Sequence, residues 1–170
     1  MSVTENSYFL LGLLSFAVAK DLYSHRIPNL LIVLGIVLGF SVQLYLDGVG
    51  GFADALLGML IGFGLFIAFY AFGGMSAGDV KLMAMVGSFL GPMATVSAVA
   101  LTLIVGSVFG LLILLYKKQL IRLVQRYWAI ASLRTYIAPQ ADDAARQRFP
   151  YAIAIFTGVL ISFFWQPFGP

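Results

Sequence analysis

Two aspartates stand out in a chain that has few ionisable residues. Seven Asp or Glu and ten Lys or Arg occur among 170 residues, and 61% of the residues are hydrophobic. Asp21 lies in the stretch "AKDLYSHRIPNLL" and Asp79 in "GGMSAGDVKLM". Two carboxylates held close together share a proton, because both cannot ionise cheaply. The ionised one can activate a water and the protonated one can donate to a leaving group, so this pair suits amide hydrolysis.

Each aspartate also has a plain structural explanation. Asp79 follows Gly78 and is suited to capping the next helix, where a carboxylate accepts backbone N–H bonds and opposes the helix dipole. Asp21 lies beside Lys20 and fits an interfacial charge. The pair is harder to explain in this way, because ionisable groups at the margin of a bilayer are costly and usually have a partner or a function.

Other chemistries have little support in the composition. The chain has no cysteine and one histidine, His25, so we expect neither a thiol nucleophile nor a metal site. No cofactor is predicted. A net charge of +3 is too diffuse to indicate a nucleic-acid partner.

The apolar composition predicts an all-α, polytopic membrane protein that forms one membrane-embedded domain over residues 1–170. Mean hydropathy is +0.99, which leaves too little polar surface for a soluble fold of this size. The first apolar stretch is interpreted as a retained span, because the preceding "MSVTENS" has no Lys or Arg. A tight turn is expected at Gly91-Pro92, because one unbroken helix from Val80 to Tyr116 would be about 55 Å long, which is longer than a bilayer is thick. About six spans are predicted, at 7–23, 29–46, 53–72, 80–90, 93–116 and 149–165.

Basic residues all fall on one side of this six-span arrangement, whereas Glu5, Asp47 and Asp54 fall on the other. The positive-inside rule makes the basic side cytoplasmic and places both termini outside. Asp21 and Asp79 then lie at the same depth near the cytoplasmic face. Within the basic cytoplasmic loop 117–148, helical spacing indicates either an amphipathic helix on the lipid surface or a solvated loop. The ten basic residues are Lys20, Arg26, Lys81, Lys117, Lys118, Arg122, Arg126, Arg134, Arg146 and Arg148.

Three segments, in order along the chain, resemble a known family. "GGMSAGDVKL" is similar to the GxGD signature of membrane-embedded aspartyl proteases, and "GDVKL" resembles the type IV prepilin peptidase branch. "DLYSHRIPNLL" and "FPYAIAI" resemble two further segments of that branch. The resemblance implies that Asp21 and Asp79 are catalytic and cleave the basic leader from prepilins at the cytoplasmic face of the bacterial inner membrane. Membrane lipids are the other expected partner, and the sequence leaves the oligomeric state open.

The remaining site residues support the loops around the two aspartates. Glycines before Asp79 let a peptide backbone approach it, and Lys81 is near enough in sequence to bias the local charge. The supporting residues for the loop and the substrate approach are Gly74, Ser76, Gly78, Lys81, Arg26, Pro28 and Asn29.

The chain departs from the family pattern in two places. Ser76 stands where GxGD has its first glycine. The paired CxxC motifs and the cytoplasmic domain of longer members, which are associated with methylation of the new N-terminus, have no counterpart here. Methyltransferase activity is therefore not expected. The short form resembles the peptidases of tight-adherence (Flp) pilus systems, which favours Flp-type pilins as substrates.

Two other functions remain open from the sequence. Asp21 and Asp79 would also suit the proton or cation site of a small transporter or channel, because acids within membranes often mark ion paths. A pilus assembly scaffold without catalysis is the third possibility. Cleavage of a substrate that depends on both aspartates separates a peptidase from the other two.

Overall fold

A computed structural model describes residues 3–24, 26–116 and 151–165. These residues form helices and no strands, in agreement with the predicted all-α class. The described helices, in chain order, are α1 (Val3–Ser24), α2 (Asn29–Ala71), α3 (Ala77–Leu90), α4 (Pro92–Tyr116) and α5 (Tyr151–Phe164). The basic loop 117–148, with its proposed amphipathic helix, lies outside the described residues.

The chain divides into two units. One consists of residues 1–105 and 150–170, and it contains all the elements around the two aspartates. The other consists of residues 106–149, of which the described part is the last portion of α4. The packing described below is that of the first unit.

The helix α2 combines two of the predicted spans. It consists of two helical arms joined across a kink at Gly48, whose φ of 60° and ψ of −138° depart from helical geometry. Contacts with α3 show that the chain reverses there. Gly35 and Gly39 approach Met85 and Ser88 in the same order, whereas Gly58 and Gly62 approach Gly87 and Met83 in the opposite order. The arms 29–47 and 49–71 therefore run antiparallel along α3.

The described residues thus contain the five helices named above, and the two arms of α2 lie over the predicted spans 29–46 and 53–72. The prediction of six membrane-spanning helices stays a prediction. Two segments are long and apolar enough to cross a membrane, namely Asn29–Ala71 and Pro92–Ile113. The helix α5 is apolar but has 14 residues. Many large apolar side chains on α2, such as Leu34, Val37 and Phe63, are exposed. An apolar exterior of this kind is typical of a surface that faces lipid.

The short helix α3 lies at the centre of the packing. Every residue from Asp79 to Phe89 except Lys81 is buried. Gly58 and Gly87 let α2 and α3 approach until their backbones touch, since a Cβ on either glycine would collide with the carbonyl oxygen of the other. Side chains from α1, α2, α3 and α5 complete the core, including Leu10, Leu14, Phe66, Met83, Met85, Val86, Ile155 and Val159.

Gly91 separates α3 from α4, as expected from the Gly91-Pro92 pair. Its φ of 74° lies in the left-handed region, and its N–H donates to the Gly87 carbonyl oxygen at 3.1 Å to close the last turn. Pro92 then begins α4, where its missing N–H is not needed. Residues 80–116 are therefore not one continuous helix.

Candidate functional site: two buried aspartates at one end of the helical unit

Asp79 forms a capping box with Ser76 at the start of α3. The Ser76 N–H donates to Asp79 Oδ2 at 2.8 Å, and the Asp79 N–H donates to Ser76 Oγ at 3.4 Å. Asp79 therefore caps α3, as its position after Gly78 predicts. Ser76, which departs from the glycine of the GxGD signature, is the residue that makes this cap. The role of Ser76 as the N-cap was not predicted, although the spacing Ser-x-x-Asp indicates a capping box.

Asp21 and Asp79 are both buried, and they lie at the same end of the unit. Asp21, in the last turn of α1, is 9% exposed, and Asp79 is 3% exposed. The two are close enough for the charge of Asp21 to act on Asp79. Packing of α1 against α3 brings them together from distant parts of the sequence. A cap alone does not require a second carboxylate near it.

Asp79 precedes the apolar stretch 80–90 and has a perturbed ionisation. Burial raises the pKa of Asp79 from 3.8 to about 6, because the charged form loses solvation. Hydrogen bonds from Ser76 act in the opposite direction, and the negative charge of Asp21 raises the pKa further. Near pH 6 this carboxyl group can therefore either hold or release a proton, as acid–base catalysis requires.

A short glycine-containing loop leads into α3. Gly73 has φ 76°, and the Gly74 N–H donates to the Phe69 carbonyl oxygen at 3.0 Å. Gly74 and Ser76 are exposed, so the backbone before the cap is accessible. Gly78 is partly buried and lies against Ile27 of the α1–α2 connection.

Three of the supporting residues predicted from "RIPN" occupy the connection between α1 and the start of α2. Arg26 is exposed, and its carbonyl oxygen accepts a bond from Ser24 Oγ at 3.2 Å. Pro28 is the N-cap of α2, with an extended backbone. Asn29 Oδ1 accepts a hydrogen bond from Lys81 Nζ at 3.1 Å. The structure thus brings Asn29 and Lys81 together, whereas Arg26 lies on the surface nearby.

Tyr151 is a site residue that the sequence analysis did not single out. It is the first residue of α5, and its ring meets that of Phe66 edge to face, with the centroids 6.2 Å apart. The charge of Asp79 acts on its hydroxyl group. The sequence did contain a signal for Tyr151. Its hydroxyl group is polar and stands near the start of the apolar segment "FPYAIAI", which resembles a segment of the family.

Among the described residues, the basic side chains all lie at one end of the unit. Lys20, Arg26 and Lys81, the basic residues of the described ranges, lie at the end that holds Asp21 and Asp79. Asp47 and Asp54 are exposed at the opposite end, beside the reversal at Gly48. Within the described ranges, no cluster of three or more His, Cys, Asp or Glu is suited to holding a metal ion.

Comparison with known proteins gives one match. The model of the type IV leader peptidase family matches residues 8–115, which include both aspartates and the loop between Phe72 and Ser76. No curated protein and no solved structure matches the chain.

Proposed function

Because the chain belongs to the type IV leader peptidase family, we propose that it is a membrane aspartyl endopeptidase in which Asp21 and Asp79 cleave the leader of a prepilin. The family is one of membrane-embedded peptidases. The observation that supports catalysis by these two aspartates is the burial of both carboxylates at one end of the unit, within range of each other's charge. That arrangement suits a shared proton.

In the proposed reaction Asp79 holds the shared proton, which its burial favours, and Asp21 is ionised. Asp21 takes a proton from a water molecule, whose oxygen attacks the scissile carbonyl carbon. Asp79 donates its proton as the peptide C–N bond breaks, so that one water is consumed and a carboxyl and an amine are formed. Asp79 Oδ2 is engaged by the Ser76 N–H, and this bond orients the carboxyl group without neutralising it.

The proposed substrate is a small prepilin of the Flp type, with a basic leader followed by an apolar helix. Its support is the resemblance of the sequence to the peptidases of tight-adherence (Flp) pilus systems. A basic leader on the cytoplasmic side would approach the end of the unit where Asp21 and Asp79 lie. The exposed loop at Gly74 and Ser76 offers a route for an extended peptide, because its backbone carries little side-chain bulk.

The test is co-expression with candidate Flp-type prepilins, followed by mass spectrometry of the pilin N-terminus. The wild-type chain should remove the leader, and Asp21→Asn and Asp79→Asn should each reduce cleavage by a factor of about 10² or more. Asparagine caps helices about as well as aspartate, so a residue that served only as a cap would tolerate the change. The double variant should be scarcely worse than either single one, because the two act as a unit.

Asp142 and Asp143 are acids of the loop 117–148 and are not members of the proposed pair. Asp142→Asn combined with Asp143→Asn is therefore the matched control, and it should cleave as the wild type does. Full cleavage by either Asp21→Asn or Asp79→Asn, at equal amounts of enzyme and substrate, would exclude the proposed catalytic pair. A transporter or a scaffold would leave the prepilin uncut even with the wild-type chain.

We also propose that the end bearing the aspartates faces the cytoplasm of the bacterial inner membrane. The support is the segregation of basic residues described above and the positive-inside rule. Single cysteines test this directly, because the chain has none of its own. In intact cells an impermeant thiol reagent should label Val49→Cys and spare Ser24→Cys. The reverse pattern would require the opposite orientation.

A further inference from the structure

Lys81 is exposed and is engaged with the beginning of another helix. It follows Asp79 by two residues, and its Nζ donates to Oδ1 of Asn29, the first residue of α2, at 3.1 Å. Asn29 is itself exposed, so the bond lies at the surface of the unit. It joins the first turns of α3 to the chain segment that comes directly after α1.

Ile27 of the α1–α2 connection also lies close to α3, beside Gly78. A Cβ placed on Gly78 would lie 3.6 Å from Ile27 Cδ1, which is ordinary van der Waals distance. Ile27 also packs against the core. The connection 26–28 therefore lies close to α3 on both sides of Asp79, with Ile27 beside Gly78 and with the Lys81–Asn29 hydrogen bond just after it.

This connection leaves the last turn of α1, which carries Asp21. Fixing the connection on α3 limits how far Asp21 can move relative to Asp79. A shared proton and an attacking water require the two carboxylates to keep a narrow separation, and small displacements in such sites are costly.

The surroundings of Lys81 favour such a mechanical role over an electrostatic one. Its side chain is exposed, so solvent and salt screen its charge from the buried carboxylates. The perturbed pKa of Asp79 is explained by its burial, the hydrogen bonds from Ser76 and the charge of Asp21. The mechanical role differs from the expectation that Lys81 biases the local charge, which rests only on the proximity of Lys81 to Asp79 in the sequence.

We propose that the Lys81–Asn29 hydrogen bond is a clasp between α3 and the α1–α2 connection, and that it positions Asp21 relative to Asp79. Lys81 and Asn29 are positioning residues in this scheme. The proposal rests on the proposed function, since it assigns these residues a task within the same site.

The kinetic test compares variants that break the clasp with variants that keep it. Lys81→Met and Asn29→Leu should each lower kcat about fivefold to tenfold, as the loss of one hydrogen bond of ordinary strength would. Lys81→Arg and Asn29→Asp, which keep a donor and an acceptor, should stay within about twofold of the wild type. The double variant Lys81→Met with Asn29→Leu should be no slower than either single one. Lys20→Met, which removes another exposed lysine at this end, should be unaffected.

The pH profile separates the clasp from charge tuning. A positioning role leaves the pH dependence of kcat/KM unchanged in Lys81→Met, whereas an electrostatic role shifts it upward, because a lost positive charge raises a neighbouring carboxyl pKa. An upward shift, or losses that add in the double variant, would overturn the proposal.

A readout without activity keeps the two proposals distinguishable. In the chain with Asn29→Cys and Lys81→Cys, a short bifunctional thiol reagent should link the two positions and raise the midpoint of thermal unfolding in detergent. The pair Val49→Cys with Lys81→Cys, at opposite ends of the unit, should not be linked. Absence of the first cross-link would overturn the clasp even if the wild type cleaves prepilin. A cross-link in a chain that cleaves no prepilin would leave the contact standing and reject the proposed function.

Discussion

Acidic residues occur at both ends of the helical unit, but only one end buries them. Asp21 and Asp79 are 9% and 3% exposed, and the charge of one acts on the other. Asp47 and Asp54 are the two acids of the described ranges that lie closest in sequence, yet both are exposed beside the reversal at Gly48. The residue type is the same at both ends, so the environment alone distinguishes them.

The difference comes from which helix carries the acid. Asp79 lies on α3, which two arms of α2 enclose together with α1 and α5. Asp47 and Asp54 flank a turn of α2, a helix whose outward face has no protein neighbour among the described residues. Burial removes solvent from a carboxylate and makes its proton exchangeable near neutral pH. The acids of the turn are suited to marking a membrane boundary.

The largest effect on stability should come from forcing α2 and α3 apart. Gly87→Ala places a methyl group against the Gly58 carbonyl oxygen, a backbone atom that cannot rotate away. We expect the change to destabilise the folded protein by about 1–3 kcal/mol or more and to lower cleavage with it. The measurements are thermal unfolding in detergent and prepilin cleavage.

Gly64→Ala is the control for this change. Gly64 lies on the arm of α2 that also carries Gly58, and no atom lies within 4 Å of an added Cβ. The change should be neutral or mildly stabilising. Equal unfolding midpoints for Gly87→Ala and the wild type would mean that α3 does not pack as tightly as described.

A second prediction uses the ionisation of Asp79. Its pKa of about 6 should make kcat/KM fall as pH rises past that value, because the site then loses the proton that it donates.

Ser76→Ala removes a hydroxyl group that lowers the pKa of Asp79, so the falling limb should move to higher pH by about half a unit to one unit. The variant should also lose about 1 kcal/mol of stability with the cap. A limb that stays in place or moves to lower pH would contradict the assignment of the proton to Asp79.

A smaller effect is expected at Tyr151. Tyr151→Phe keeps the edge-to-face contact with Phe66 and removes the hydroxyl group on which the charge of Asp79 acts. We expect a threefold to tenfold loss in kcat/KM, about the contribution of one polar contact, with unchanged thermal stability. Tyr23→Phe, an exposed tyrosine in the last turn of α1, should behave as the wild type. Equal rates for both variants would remove Tyr151 from the site.

The smallest effect belongs to the exposed acids. Asp47→Asn combined with Asp54→Asn should leave cleavage within about twofold of the wild type and the unfolding midpoint nearly unchanged, because surface substitutions rarely exceed 0.5 kcal/mol. The same assay and unfolding measurement serve here. A loss comparable to that of the Asp79→Asn variant would show that the two ends of the unit are not as different as their burial indicates.

Local sequence determined the helical class, most helix limits and the cap on α3. Apolar runs predicted where helices lie, and the structure agrees for α1, α3, α4 and α5. The two stretches assigned to 29–46 and 53–72 are the two helical arms of α2, which join at Gly48, where the backbone leaves helical geometry. The spacing from Ser76 to Asp79 already contained the capping box, since both partners lie within one helical turn.

Only the tertiary structure decided which of these residues meet. Asp21 reaches Asp79 because α1 packs on α3, and Lys81 reaches Asn29 because the first arm of α2 runs along the same helix. Tyr151 approaches Asp79 from a helix that begins far along the chain. No local pattern specifies such contacts, because they depend on how closely helices approach, and in this unit glycines such as Gly58 and Gly87 allow that approach. The sequence determined the residue types that could exchange a proton, and the packing of α3 decided which carboxylates lose their water.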